Sequence, residues 1–176
     1  VVDGARFIGW VETYLRSVDV ENPVIPAPLN KMISVHGGMI SIDVTTATEI
    51  RTLTVRARAR FKLLSPTKVE VRKGLIGADF PVELVTPGGT VKPTGTVVQV
   101  NVDDVGNATI DTLDGTVEVT SNDGTVRTLN VGESIQMAAD GTLSAISTCD
   151  PAALLADLLP NVELPPIPEK RTGISM

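Results

Sequence analysis

ATIDTLDGTVEVTSNDGTVRTLNVGESIQM, residues 108–137, decides how this chain folds. Apolar and polar residues alternate through 108–113, 116–120, 126–129 and 134–137, the period-two signature of strands that bury one face. Between these runs stand Asp114-Gly115 and Asp123-Gly124, and a third pair follows at Asp140-Gly141. Asp-Gly tolerates positive φ and suits tight hairpin connections. Each pair is followed by Thr and an apolar residue, at intervals of 9 and 17 residues. The rhythm is that of hairpins, too irregular for a solenoid of fixed period.

Working outward, the same alternation continues upstream. Residues 39–44, 52–64, 69–71, 82–85 and 97–102 read as further strands. The chain holds 24 Val and 20 Thr, a quarter of its 176 residues, and branching at Cβ favours the pleated surface of a sheet. Strand after strand with short turns predicts an all-β fold, an antiparallel sandwich or flattened β-roll. The β domain is expected over residues 31–148, flanked by residues 1–30 and 149–176, each with a short helix and a Pro-rich arm.

In the first flank, Phe7, Trp10, Val11, Tyr14, Leu15 and Val18 follow the spacing of one helical face, and Asp3 can cap its start. This helix carries three of the five aromatic residues. It is expected either to pack on its own β core or to dock on another subunit. Pro23, Pro26 and Pro28 then hold residues 22–30 extended. In the second flank, Asp150 is an N-cap candidate and Pro151 occupies the first helical position, where a missing N–H does no harm. A two-turn helix follows over 152–159, with Leu154, Leu155, Leu158 and Leu159 on its apolar face. Pro165, Pro166 and Pro168 keep the remainder extended as an arm.

Several functions are excluded by composition. One His and one Cys leave no material for a Cys/His site within a single chain. A net charge of -6 argues against nucleic acid as a partner. No run approaches the roughly 18 to 20 apolar residues of a membrane-spanning helix, so no membrane insertion is expected. The start at Val1, without Met or a leader pattern, is read as a processed chain. Cys149 is expected as a buried small hydrophobe, an intersubunit disulfide or an unpaired exposed thiol, and His36 as structural. Asp103, Asp104 and Asn107 crowd around Gly106, but without the twelve-residue spacing of a calcium loop they read as a turn. No catalytic, cofactor-binding or metal-binding residue is expected, and the chain is read as non-enzymatic.

One local pattern stands apart. Arg56, Arg58, Arg60 and Lys62 alternate with apolar residues, which in a single strand puts four cations on one face about 7 Å apart. Eight of the 15 basic residues fall between Arg51 and Lys73. Such a row needs acidic side chains opposite it, either on neighbouring strands of the same chain or on another subunit.

Residues 63–137 resemble the FecR-type domain, an extracytoplasmic β domain of signalling regulators. Three pieces carry the resemblance. The segment from Val82 through Thr86-Pro87 to Gly95-Thr96 and Val100 is similar to the family's strand ending in Thr-Pro and the Gly-Thr pair that opens the next strand. The segment from Ala108 through Asp114-Gly115 to Val119 is similar to its acidic-Gly hairpin, and Leu129 through Gly132-Glu133 to Ile135 to its closing turn. Val98 is aliphatic where the family usually carries an aromatic, and the membrane span and cytoplasmic segment of the family's regulators have no counterpart here. The resemblance implies a place outside the cytoplasm, at the cell surface or in the periplasm, a role in protein contacts and no catalytic residues.

These readings converge on an extracytoplasmic assembly protein that binds itself head to tail as a filament subunit, with the terminal segments as connectors. A FecR-type binding module that works without polymerisation is the alternative. The expected interface residues are Phe7, Trp10, Tyr14, Arg56, Arg58, Arg60, Lys62, Leu155, Leu158 and Leu159.

Overall fold

The alternating residues form one hydrogen-bonded sheet of thirteen strands in a computed structural model, which describes residues 5–8, 25–26, 29–35, 39–45, 50–56, 58–79 and 81–158. The strands are β1 Ala5–Ile8, β2 Ile25–Pro26, β3 Met32–Ser34, β4 Met39–Thr45, β5 Ile50–Arg56, β6 Arg60–Ser65 and β7 Lys68–Ala78. They continue as β8 Glu83–Thr86, β9 Gly89–Val102, β10 Ala108–Ser121, β11 Val126–Asn130, β12 Glu133–Met137 and β13 Ser147–Thr148, followed by helix α1, Pro151–Leu158. Among the described residues every pairing of these strands is antiparallel except β7 with β8, and the isolated bridge of Leu29 to Leu63 is parallel.

Three long strands, β7, β9 and β10, each serve two layers. Residues 74–78, 97–102 and 108–112 run in a first layer ordered β13-β12-β10-β9-β7-β5-β4-β1-β2. Residues 68–73, 89–94 and 116–121 run in a second, ordered β11-β10-β9-β8-β7-β6-β3. The strands turn the corner by changing which side chains point inward. In β10 the inward set is Ala108, Ile110 and Thr112 before the corner and Val117, Val119 and Ser121 after it. In β7 it passes from Val69 and Val71 to Ile76 and Ala78, and in β9 from Val91 to Val98, Val100 and Val102. A change of parity within one strand is what a single extra residue produces, and a β-bulge also bends the strand there.

The bulge positions are visible in the register. It shifts around Asp114 between β9 and β10, and opposite Arg72 between β6 and β7. Gly115 (φ 70) and Gly74 (φ 99) supply the left-handed conformations. At Gly74 space is limiting too, because a Cβ there would lie 2.4 Å from Cα of Ala59. The folded-over sheet forms a flattened barrel whose layers share one cluster of buried residues. Phe61, Leu84, Val117 and Leu129 from one layer meet Ile42, Ile76, Ile110 and Ile135 from the other. Each such side chain contributes about 1.5–3 kcal/mol on burial, offset by the conformational entropy lost on ordering the chain.

The all-β expectation holds, with three differences in detail. Asp114-Gly115 does not reverse the chain: Gly115 is a bulge, and 108–113 and 116–120 join into the single strand β10. The run 52–64 is two strands, because Arg58 turns the chain at φ 67 between β5 and β6. The N-terminal helix is corrected where it is described: Ala5–Ile8 is strand β1, with Phe7 opposite Ile42 on β4 and Ile25 on β2. Pairing with an open sheet edge outweighs the local helical pattern, since such patterns yield to tertiary contacts. The expected helical residues from Trp10 to Val18 lie outside the described residues. Helix α1 forms as expected, with Ala153 N donating to Asp150 Oδ1 (3.3 Å) and Leu154 N to the Asp150 carbonyl (3.0 Å).

Candidate functional site

Three turns at one end of the barrel share a single design. In Asp103 to Asn107, Ser121 to Thr125 and Ala138 to Thr142 the first N–H donates to the fifth carbonyl, and the fourth residue, a glycine, donates back to the first carbonyl. In the last two an Asp in the third position accepts from the N–H two residues on, Asp123 from Thr125 at 2.8 Å and Asp140 from Thr142 at 2.9 Å. Asp103 heads its own turn and accepts from Val105 N (3.0 Å) and Asn107 N (2.9 Å). The oxygen-rich cluster around Gly106 is therefore a turn, and no group of three or more metal-ligating side chains occurs among the described residues.

These turns fasten the two layers together. Asn122 N and Nδ2 donate to the carbonyls of Gly88 (2.9 Å) and Pro87 (2.8 Å). Asn107 Oδ1 accepts from Ala139 N at 3.1 Å, and a Cβ on Gly106 would lie 3.2 Å from Pro87. The tip and the base of the β9–β10 hairpin thus meet.

The carboxylates in the turns are held ionised. Donation by the Ser121 hydroxyl and by Thr125 pulls Asp123 down from 3.8 to about 2, and the Asn107 and Thr142 amides lower Asp103 and Asp140. A depressed carboxylate stabilises the fold above its unfolded value, and that contribution disappears as pH falls through the folded value. Stability should therefore drop as pH is lowered from about 4 to about 2. Asp123→Asn should show a shallower drop in acid-titrated thermal melts, and identical acid profiles would remove this role from Asp123.

Beside the turns, a groove of about 390 Å³ opens on the outside of the first layer. Its floor is a row of neutral polar residues, Asn101 on β9, Thr109 on β10 and Gln136 on β12, which are direct register partners. Leu143 and Ser144 form one wall, tied down by Ser144 N to the Gln136 carbonyl (2.9 Å) and Gln136 N to Ser144 Oγ (3.0 Å). The lining suits hydrogen bonding and contains no aromatic residue among those described.

The cationic row is divided between layers. Arg56 ends β5, half-buried, with Nε and Nη2 lacking a hydrogen-bond partner among the described residues. Arg58 is exposed at the turn, while Arg60 and Lys62 lie on the outer face of β6. Lys62 pairs with Glu70 across the ladder (3.6 Å), and Glu70 also takes Arg72 (2.6 Å). Lys73, opposite Arg60, turns to Asp104, and Lys68 reaches Glu83 at 3.9 Å. Each exposed pair contributes at most about 1 kcal/mol. Among the described residues no acidic side chain forms an ion pair with Arg58 or Arg60.

The terminal candidates divide similarly. Phe7 sits in β1, and Leu155 and Leu158 in α1. Trp10, Tyr14 and Leu159, like His36, lie outside the described residues. Cys149 is a half-buried free thiol whose ionisation burial makes harder.

No family model and no curated protein matches the sequence. Among solved structures, two crystal structures of a candidate anti-sigma factor from Parabacteroides distasonis are similar, with TM-scores of 0.58 and 0.57 and 20% identity in each case. The likeness is one of fold. It covers 73% and 72% of this chain but 64% and 63% of those chains, so this chain spans a little under two thirds of their length.

The groove residues were not singled out by sequence reasoning. Asn101, Thr109 and Gln136 are outward positions of three separate strands, and only the register brings them into one row. Two of the turn carboxylates, Asp123 and Asp140, did carry a signal, Asp-Gly-Thr with the Asp accepting from the Thr amide, whereas Asp114 in the same triplet accepts from Gly115 N.

Proposed function

We propose that this chain is a non-enzymatic extracytoplasmic β domain that works by binding protein, first of all other copies of itself as a subunit of a filament. One observation carries the reading. β1 and β2 lie at the margin of the first layer, where β1 pairs through the main chain with β4 and β2 with β1. Strand addition at a sheet edge is a general mode of protein association, with affinity supplied by backbone hydrogen bonds.

The test compares the full chain with residues 31–176 by light scattering and circular dichroism. The full chain should form oligomers, and the shortened one should keep its β spectrum while remaining monomeric. A full chain that stays monomeric at its highest soluble concentration would overturn self-assembly.

A second reading is a FecR-type regulatory module that binds a different protein. It is favoured by the fold likeness to a candidate anti-sigma factor and by the position of the resembling motifs on β8 through β12. In that case the monomer is the working form.

A further inference from the structure

We propose that the outer face of β6 and the turn before it bind an acidic segment of another protein, with Arg58 and Arg60 as the cations that meet its carboxylates. The proposal rests on the protein-binding reading and gives it a partner chemistry. Arg58 and Arg60 are exposed, and Lys62, Arg72 and Lys73 flank them on β6 and β7. The ion pairs that reach these five cations come from two carboxylates among the described residues: Glu70, shared by Lys62 and Arg72, and Asp104, which takes Lys73. A positive patch thus stands on a chain of net charge -6.

Two local features at this corner work against the fold. Arg60 lies directly opposite Lys73 in the ladder, where like charges repel. Arg58 sits at φ 67, in the left-handed region, where Gly or Asn would be less strained. The turn itself needs only the backbone there: Arg58 N donates to the Val35 carbonyl at 2.5 Å, a bond that any residue except proline supplies. Ala59 beside it is 0% exposed and lies against Gly74, so the corner holds both arginines in a fixed place. Departures from local stability gather where a fold serves binding, and at residue 58 the side chain, not the turn, accounts for an arginine. A guanidinium presents a planar fork of donors that matches a carboxylate. A nucleic acid or an anionic bilayer spreads its charge widely and would meet Glu70, Asp104 and the net -6 of the chain. A few carboxylates on a protein segment engage the two free arginines locally, and such complementarity speeds encounter and selects the partner.

The probe is a fluorescein-labelled hexaglutamate peptide, followed by anisotropy at low salt with the full chain. The wild-type chain should bind it, and added salt should weaken the binding. Arg58→Gln with Arg60→Gln should weaken it about fivefold or more, whereas Lys68→Gln with Lys92→Gln, which removes equal charge elsewhere in the second layer, should cost less than about twofold. Equal losses from the two pairs would reduce the effect to overall charge and overturn the proposal. Arg58→Gly should weaken binding while the urea midpoint falls no lower, because glycine relieves the left-handed strain. A lower midpoint would assign Arg58 to the fold and remove it from the surface. Phosphatidylglycerol vesicles that capture the wild-type chain but not the Arg58 and Arg60 variant, at a salt concentration where hexaglutamate is released, would make this face a membrane contact and overturn the proposal. A wild-type chain that leaves hexaglutamate free while still scattering as an oligomer overturns this surface and leaves protein binding standing. One that binds the peptide yet stays monomeric keeps the surface and overturns self-assembly.

Discussion

Gly74→Val should cost about 3–5 kcal/mol, from a β-branched residue forced to positive φ and from overpacking against backbone. The corner of β7 has φ 99 and only 2.4 Å between an added Cβ and Cα of Ala59. Against a total stability of about 5–15 kcal/mol, that is enough to leave much of the chain unfolded in mild urea. The control is Gly124→Ala in the turn between β10 and β11. Its φ of 88 is similar, yet nothing lies within 4 Å of the added Cβ, so only the conformational cost of about 1 kcal/mol applies. Urea titrations followed by circular dichroism separate the two. Equal losses at both positions would mean that the close approach of β7 to Ala59 is not what fixes the corner.

Phe61→Ala should be comparably severe, about 3–5 kcal/mol, through lost burial and an uncollapsed cavity. Phe61 on β6 is 0% exposed and faces Ile33 on β3 and Val71 on β7 in register. Its neighbours in the core are mainly Val, Ile and Leu, and β-branched side chains are restricted about χ1 and fill a void poorly. Phe61→Leu should recover more than half of the loss, since it restores most of the buried carbon. A Phe61→Ala loss under 1 kcal/mol by urea titration would place Phe61 outside the cooperative core.

The strands were legible in the sequence because one-sided burial writes period two into the residues, and α1 because Asp150-Pro151 is a strong start signal. The corners were not. Asp114-Gly115 carries the chemistry of a hairpin turn, and the same left-handed glycine serves a bulge when the chain does not reverse. The break at Arg58 is hidden for the opposite reason. Leu53, Val55, Ala59, Phe61 and Leu63 are buried at odd positions on both sides of it, so the alternation runs straight through. At Phe7 the apolar spacing fits a helix equally well, and only the partner edge of β4 decides. For the candidate surface, the cations were visible but not their division between two layers, and the groove row depends on register alone.

The meeting of both ends of the β9–β10 hairpin has a consequence for the order of events as the chain folds. β8 through β12 are neighbours along the chain, and their fastening turns lie between Pro87 and Thr142, so this half can close by short searches. β1 is different: it is synthesised first, yet its place at β4 exists only once that strand has joined the sheet through β5 and β7. The earliest residues of the chain are thus the last to be seated.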